Sequence, residues 1–473
     1  MGNGDWETGI GGGESAASDE PLGLYVHIPF CEKKCPYCDF NTYAKLDNLF
    51  QSYVDALCRE LEMWAGRIDG RTIHTIFMGG GTPTVLSLPQ LSQIFETIHR
   101  CYRLSAECEI TSEANPGTVD QAKFAGLVGL GVNRLSMGVQ SFDPDELSFL
   151  GRIHSVDDVT RAYDAARSAG FDNINLDFIF GLPNQSPSVW AATLEKAIAL
   201  APEHLSLYSL IVEPETPLFH WVETGRVPAP DDDLAGDLYE TAITRLAGAG
   251  YRQYEVSNWV KGEKILDIGY LAIPQKSLQV LLRPWFQRVG PPLWVLWSIA
   301  TFALLRYLSP SHERPIPNTQ YPIPNPCFHN LLYWRNQEYI GVGPGAHSHL
   351  RLPFEHPTAT PSAEATGLRW SNRKPVPGYI ARVQAGEAVV DFWEEIDSRT
   401  AIGETMMLGL RLVEEGVSRE RFRQRHGVEM DDIFAVELAR LHGQGLLQSD
   451  GERVFLTERG LMLGNQVFAA FLK

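Results

Sequence analysis

Three closely spaced cysteines constrain this chain more than any other feature. Cys31, Cys35 and Cys38 lie within residues 25–40 and are separated by three and then two residues. A 4Fe-4S cubane is normally held by four thiolates, so a loop that offers three leaves one iron open to another ligand. The spacing therefore predicts a fold that presents an iron–sulfur cluster with an open coordination position.

Two other kinds of site match part of this pattern. Zinc takes four Cys or His ligands, but no second pair at zinc-finger spacing follows Cys38. The pair Cys35 and Cys38 also matches a glutaredoxin-type dithiol, which would begin a helix of a small thioredoxin-like domain. The upstream Cys31 and the length of 473 residues favour the cluster over both alternatives.

Charge and cysteine content restrict the classes of function. The chain has 40 basic and 58 acidic residues, and its net charge of -18 repels nucleic acid and anionic membranes. Seven cysteines, an odd number, fit a reducing compartment better than a disulfide framework. Residues 1–20 lack the basic start and apolar segment of a secretion signal and read as a disordered lead-in. We therefore expect a cytoplasmic protein that binds no nucleic acid.

Short β-rich runs alternate with amphipathic helical patterns from residue 22 to about residue 210. Repeated βα units predict a parallel sheet with helices outside and ligand sites at the carboxyl ends of its strands. Alternation alone fits both a partial barrel and a doubly wound sheet. The predicted strands are 24–28, 72–78, 109–113, 134–139, 173–180 and 205–211. The predicted helices include 47–64, 88–99, 120–130, 156–169 and 186–200.

Glycine-rich and polar motifs occur at the ends of these strands. A carboxylate suits ribose hydroxyls, a guanidinium suits a carboxylate, and an amide suits a remaining polar edge. Each motif alone is also typical of a turn or a cap, but their order predicts a site for a small zwitterion with a ribose and an adenine. The motifs are Gly79-Gly80-Gly81-Thr82-Pro83, Glu113-Ala-Asn-Pro, Gly138-Val-Gln140-Ser-Phe, Gly151-Arg152-Ile-His and Asp177-Phe-Ile-Phe-Gly-Leu-Pro.

Together these motifs resemble the radical S-adenosylmethionine (SAM) superfamily, and within it the oxygen-independent coproporphyrinogen III oxidases and their HemW-type haem-chaperone relatives. Further matches lie at 254–258, 329–335, 339–348 and 404–411. The resemblance implies an α/β fold with a partial (β/α)6 barrel, a 4Fe-4S cluster on the three cysteines, and SAM at the open iron. It also implies that the residues contacting SAM are Tyr25, Gly80, Gly81, Thr82, Glu113, Gln140, Arg152 and Asp177.

Two positions favour the chaperone branch of this family. The oxidases carry a further cysteine two residues after the third cluster cysteine, where this chain has Phe40. The run from His329 to Trp334 resembles the chaperone signature and implies that His329 binds haem, with Cys327 as the nearest rival ligand. The implied partners are haem, a haem-accepting protein and an electron donor for the cluster. The alternatives are an oxidase that decarboxylates coproporphyrinogen III through a substrate radical, and an inactive scaffold.

An insertion of roughly sixty residues distinguishes this chain from the family pattern between Asn258 and His329. It repeats Pro-Ile-Pro-Asn at 315–318 and 322–325, which is typical of low-complexity sequence. Its uncharged run 289–305 is shorter than the about 20 apolar residues that span a bilayer. We therefore expect a tolerated insertion with at most peripheral membrane contact, placed immediately before the predicted haem histidine.

The C-terminal region changes from βα units to helices followed by a hairpin with an Asp450-Gly451 turn. This pattern predicts a winged-helix-like α+β domain, and alternating Glu and Arg give it no basic face for DNA. The predicted organisation is a lead-in at 1–20, the barrel at 21–260, the insertion at 261–326, a continuation of the core at 327–376 and the C-terminal domain at 377–473.

Overall fold

The computed structural model describes residues 20–68, 70–262 and 325–472. Nearly all of the predicted lead-in and insertion, including the apolar run 289–305, lies outside the described residues. Residues 20–261 and 325–472 belong to one structural unit. No described helix combines the length and apolarity needed to cross a membrane.

Six βα units open the described fold, as the alternation predicted. The largest difference between a predicted and an observed strand boundary is in β5, which begins six residues before the predicted strand. Its main chain pairs with β4 from Thr72 onward, and main-chain pairing does not require the side-chain pattern on which the prediction was based. The elements are β1 Leu22–Ile28, β2 Phe30–Cys31, β3 Tyr43–Ala44, α1 Phe50–Ala65, β4 Thr72–Gly80, α2 Leu88–Cys101, β5 Arg103–Ala114, α3 Gln121–Gly129, β6 Arg134–Gln140, α4 Pro144–Phe149, α5 Val156–Ala169, β7 Ile174–Phe180, α6 Pro187–Leu200 and β8 His204–Ser209.

The remaining elements extend the sheet and then form the C-terminal domain. They are α7 Pro217–Glu223, α8 Asp232–Gly248, β9 Tyr251–Glu255, β10 Asn258–Lys261, α9 Phe328–Trp334, β11 Glu338–Val342, β12 His347–Arg351, β13 Ala365–Asn372, α10 Val376–Gln384, β14 Val390–Asp397, α11 Ser398–Gly409, β15 Val417–Ser418, α12 Arg419–His426, α13 Met430–Gly443, β16 Leu447–Ser449, β17 Arg453–Leu456, α14 Glu458–Met462 and α15 Gly464–Ala469.

Twelve strands form one sheet in the order β14-β13-β12-β11-β1-β4-β5-β6-β7-β8-β10-β9. From β1 to β8 neighbouring strands are parallel and follow chain order. A doubly wound sheet would reverse this order at a switch point. The unbroken order therefore confirms the partial (β/α)6 barrel, to which β11 adds a seventh parallel strand beside β1.

Capping residues and buried strands explain why these segments fold as they do. Ser87 begins α2 with a capping box completed by Gln90, and Ser155 begins α5 in the same way. Strand β1 is almost entirely buried, and Leu24 and Val26 are 0% exposed in the main core. A parallel strand covered on both faces needs such an apolar run, so β1 is fixed at the centre of the sheet.

The C-terminal domain has its own core, formed by α11 to α15 and a three-stranded sheet in the order β15-β17-β16. Its hairpin joins β16 and β17 through the predicted turn, where Gly451 adopts a φ of 92° and the Asp450 carboxylate accepts the N–H groups of Glu452 and Arg453. This arrangement confirms the winged-helix-like α+β domain.

Candidate functional site

A cavity of about 370 Å³ lies at the carboxyl ends of the parallel strands. The βα loops meet there, so residues far apart in sequence converge on one space. The predicted site residues that line it are Cys31, Cys35, Cys38, Gly80, Gly81, Thr82, Glu113, Gln140, Arg152 and Asp177. Tyr25 and His329 are the predicted residues outside this lining.

The cysteine loop turns its three thiols toward polar neighbours. Thr82 Oγ1 lies 3.5 Å from the sulfur of Cys31, and Arg152 Nη1 lies 3.6 Å from that of Cys35. Burial raises the pKa of the Cys31 and Cys38 thiols. Iron can replace the proton that a buried thiol holds, because the thiolate is the metal ligand.

The donor set of the cavity suits a cluster. Three thiols from one loop line it, with no further Cys or His in the lining. Three thiolates leave one iron of a 4Fe-4S cubane without a protein ligand, whereas a structural zinc site takes four protein ligands. The three cysteines therefore fit the 4Fe-4S cluster.

The glycine loop after β4 packs directly against the cysteine loop. The Gly81 N–H donates to the carbonyl of Ile28 at 2.8 Å, and a Cβ on Gly81 would lie 2.5 Å from the carbonyl of Phe30. Gly80 has a φ of 100°, and a Cβ there would lie 2.3 Å from the His27 ring. Only glycine allows both the left-handed backbone and this close approach.

Two shielded carboxylates form the polar floor of the cavity. The Gly80 N–H donates to Glu113 at 3.0 Å, while Ser136 and Asn175 donate to Asp177 at 3.0 and 2.8 Å. Burial, and then the charge of Asp177, raises the pKa of Glu113 to about 8. Glu113 is therefore mainly protonated at neutral pH before a ligand binds. The pair presents both acceptor and donor groups to ligand hydroxyls.

Arg152 places a guanidinium in the same cavity lining as these carboxylates. Its Nη2 donates to the carbonyl of Gly138 at 2.7 Å, and its Nε has no partner among the described residues. Beside it, Gln140 has a φ of 71°, in the left-handed region that non-glycine residues rarely occupy. A half-buried guanidinium beside the cluster loop suits the carboxylate of an amino-acid ligand.

Tyr25 supports the cavity from below. Its hydroxyl contacts His27 Nδ1 at 3.0 Å, and its ring packs on Phe77 with the ring centroids 6.3 Å apart. A Cβ on Gly80 would lie 3.0 Å from this hydroxyl, so Tyr25 sits directly beneath the glycine loop. Direct contact of Tyr25 with SAM stays a prediction.

His329 lies inside the barrel and away from the cavity. Its side chain contacts Thr75 through Nδ1 at 2.8 Å and Tyr333 through Nε2 at 2.9 Å. It is 1% exposed, and burial followed by the charge of Arg134 lowers its pKa to about 3. Ligation of haem iron by His329 stays a prediction, and it requires one of these two bonds to break. The rival ligand Cys327 is also fully buried.

A chain of buried hydrogen bonds that the sequence motifs did not predict connects the cavity to α9. Asn175 contacts His204 Nδ1 at 2.6 Å, His204 Nε2 contacts the Tyr254 hydroxyl at 2.9 Å, and Tyr254 accepts the Cys327 N–H at 3.2 Å. Asn175 in turn donates to Asp177 in the cavity. A period-two polar pattern along β7 and β8 was the available signal, since alternate residues of a strand share one face.

Two family models and several known proteins match this chain. Residues 25–197 match the Radical SAM superfamily and residues 396–463 match the HemN C-terminal domain. Heme chaperone HemW of Bacillus subtilis is 33% identical over 449 residues, covering 95% of this chain and 98% of that protein. Heme chaperone HemW of Escherichia coli is 32% identical over 454 residues, covering 96% and 98%.

A solved structure supports the same fold. Coproporphyrinogen III oxidase HemN of Escherichia coli, a radical SAM enzyme, superposes with a TM-score of 0.70 at 22% identity, covering 96% of this chain and 90% of its own. The HemW relatives are more than 30% identical over nearly the whole length of both chains. The chain therefore belongs to the HemW family of radical SAM proteins.

Proposed function

We propose that this protein is a haem chaperone that holds a 4Fe-4S cluster, binds SAM beside it, and passes haem to haem-requiring proteins. The relatives that define its family are named haem chaperones. The observation that carries the proposal is the convergence of the three cysteines, Arg152 and the two carboxylates on one cavity.

Each side chain has a role in this proposal. The three cysteines hold the cluster, whose open iron supplies a binding position for the amino and carboxylate groups of SAM. Arg152 neutralises the SAM carboxylate, while Glu113 and Asp177 bind ribose hydroxyls. The backbone of Gly80 and Gly81 approaches the ligand because no Cβ stands between them.

The proposed partners are haem, a haem-accepting protein and an electron donor for the cluster, in the cytoplasm. The oxidase reaction is not favoured, because Phe40 stands where the oxidases carry a cysteine. Phe40 lines the cavity and is 64% exposed. Its ring therefore offers an apolar surface to the SAM site in place of a thiol.

Metal analysis of protein reconstituted without oxygen tests the cluster assignment. We expect four irons and four sulfides in the parent, and loss of the cluster when any one of Cys31, Cys35 and Cys38 is replaced by Ala. Cys101→Ala is the matched control, because Cys101 ends α2 and is absent from the cavity lining. Stoichiometric zinc in place of iron would contradict the assignment.

Haem titration and a turnover assay test the chaperone assignment on the same protein. We expect a stable haem absorbance band and no conversion of coproporphyrinogen III. Rapid conversion, or rescue of a strain that lacks its oxidase, would favour the oxidase. Absence of haem binding in the cluster-loaded protein would refute the chaperone assignment.

A further inference from the structure

A second cavity, of about 420 Å³, lies where the end of α9 meets the C-terminal domain, and no step of the proposed SAM site uses it. We call it the arginine cleft. It is lined by Glu20, Trp334, Arg335, Gln337, Thr405, Gly409, Leu412, Glu415, Gly416, Val417, Ser418, Arg421, Phe422, Gln424 and Arg425.

The arginine cleft carries excess positive charge. Arg335 and Arg421 share the single carboxylate of Glu415, with closest N–O distances of 2.6 Å for both. Arg351, just behind the cleft, and Arg425 share the carboxylate of Glu20, at 2.7 and 3.4 Å. Among the residues that line the cleft, three guanidinium groups therefore face two carboxylates, which leaves one positive charge in excess.

Two neighbouring features bear on this excess of positive charge. Two acids lie beside the cleft without lining it: Glu338 accepts two hydrogen bonds from Arg71 at 3.1 and 2.7 Å, and the exposed Glu420 accepts one from Gln424 at 2.9 Å. Burial, and then the charge of Arg351, lowers the pKa of Arg425 to about 10, as expected for crowded cations. Although the chain as a whole has a net charge of -18, the cleft is locally positive and attracts anions.

The cleft also has an apolar side. Trp334 lies at its wall, with Arg411 stacked on the indole at 4.3 Å, and buried Phe422, Leu412 and Val417 complete the floor. An aromatic wall beside guanidinium groups suits a ligand that is planar and apolar but carries carboxylates at one edge.

We infer that the arginine cleft binds the two propionates of haem. The inference rests on the proposed chaperone function and adds to it the place where the ligand is held. Arg335, Arg421 and Arg425 line the cleft and can pair with both propionates, and Trp334 packs on the edge of the macrocycle that carries them. The ring projects outward from such an edge contact, so the iron stays accessible to a receiving protein. His329 faces the barrel interior at the other end of α9, so this placement of haem is an alternative to the predicted ligation of its iron by His329.

Two single substitutions test the charge argument in opposite directions, and a third serves as the control. Arg421→Gln removes a cation whose side chain is 70% exposed, and it should weaken haem binding about five-fold. Glu415→Gln removes the competing carboxylate, so it should tighten haem binding by a similar factor. Arg423→Gln is the control on the same helix, because Arg423 pairs with Glu429 and does not line the cleft.

Affinities are measured by absorbance titration of the cluster-loaded protein with haem and with haem dimethyl ester, whose propionates carry no charge. We expect the ester to bind the parent more weakly than haem and to give one affinity for all variants. Any one of three results overturns the inference. The first is weaker haem binding in both Arg421→Gln and Glu415→Gln, and the second is an effect of Arg423→Gln equal to that of Arg421→Gln. The third is equal affinity of the parent for haem and for the ester. Failure of the parent to bind haem at all refutes the proposed function instead.

Discussion

Arg152 connects the cluster loop to the SAM cavity, since its Nη1 lies 3.6 Å from the sulfur of Cys35 while its Nη2 is fixed on the carbonyl of Gly138 at 2.7 Å. The guanidinium is held from both sides in the cavity that Glu113 and Asp177 also line. Its unpartnered Nε leaves capacity for one more hydrogen bond. These contacts orient the cation before any ligand arrives, which lowers the cost of binding.

Arg152→Gln should therefore weaken SAM binding strongly. Loss of a charge-assisted hydrogen bond costs about 1.5–3 kcal/mol, or roughly 10- to 150-fold in affinity. The SAM affinity of Arg152→Lys should lie between those of the parent and Arg152→Gln, because lysine keeps the positive charge but lacks the planar, forked N–H donors of the guanidinium. Equilibrium dialysis of radiolabelled SAM on cluster-loaded protein measures the effect.

Arg161→Gln, on the exposed face of α5, is the control and should bind SAM as tightly as the parent does. Parental affinity in Arg152→Gln would contradict this role.

The hydrogen-bond chain to α9 has a defined direction. Asn175 donates its amide to Asp177, so its oxygen must accept from His204 Nδ1. Burial, and then the charge of Arg134, lowers the pKa of His204 well below its usual value, so the ring is neutral. Its Nε2 therefore accepts from Tyr254. Every donor in the chain points toward the carboxylate in the cavity.

Tyr254→Phe should break this chain and weaken SAM binding by about two- to five-fold. The change leaves His204 Nε2 and the Cys327 N–H without partners, which also costs about 1–3 kcal/mol of unfolding free energy. Tyr251→Phe is the matched control on the same strand, because the Tyr251 hydroxyl donates to the carbonyl of Pro202 outside the chain. We expect both variants to lose stability in urea titrations and only Tyr254→Phe to lose SAM affinity. Equal SAM affinities in the two variants would show that the chain is merely structural.

Local patterns predicted the parts of this fold that local interactions determine. Apolar and amphipathic periodicity located the six βα units, and cysteine spacing located the loop that lines the cavity. The hydrogen-bond chain was not predicted, because its members come from β7, β8, β9 and the start of α9. Cys327 and Tyr254 are 73 positions apart, and only strand order brings them together. The burial of His329 was missed for the same reason.

The raised pKa of Glu113 predicts a pH dependence of stability. A carboxyl whose pKa rises from 4.5 in the unfolded chain to about 8 in the fold binds more protons when folded across that interval. The contribution of Glu113 to the free energy of unfolding is therefore complete below about pH 4.5 and is lost as the pH rises through about 8. Relative to Glu113→Gln, the parent should lose about 3 kcal/mol of unfolding free energy between pH 5 and pH 8.

Urea titrations of ligand-free protein at several pH values measure this difference. Glu62→Gln is the control, since Glu62 pairs with Arg100 on the surface with half of its side chain exposed. The control should follow the parent at every pH. A parent and a Glu113→Gln variant that keep a constant difference between pH 5 and pH 8 would show that Glu113 is already ionised in the fold.

Deletion of residues 263–324 should leave a folded protein with its cluster. Both borders of this segment are fixed to β9: Lys261 pairs with Tyr251 across the β9–β10 ladder, and the Cys327 N–H donates to Tyr254. Lys261 itself is kept, because its N–H donates to the carbonyl of Glu203 at 2.8 Å.

A Gly/Ser linker of about eight residues in place of the segment lowers the loop-closure cost by about 2 kcal/mol, at roughly 0.6 kcal/mol per halving of length. We therefore expect a melting temperature equal to or above that of the parent, with unchanged iron content. An equal-length Gly/Ser replacement is the control, because it separates the length of the segment from its residues. Aggregation of both replacements, with a soluble parent, would mean that the residues of the segment support the fold.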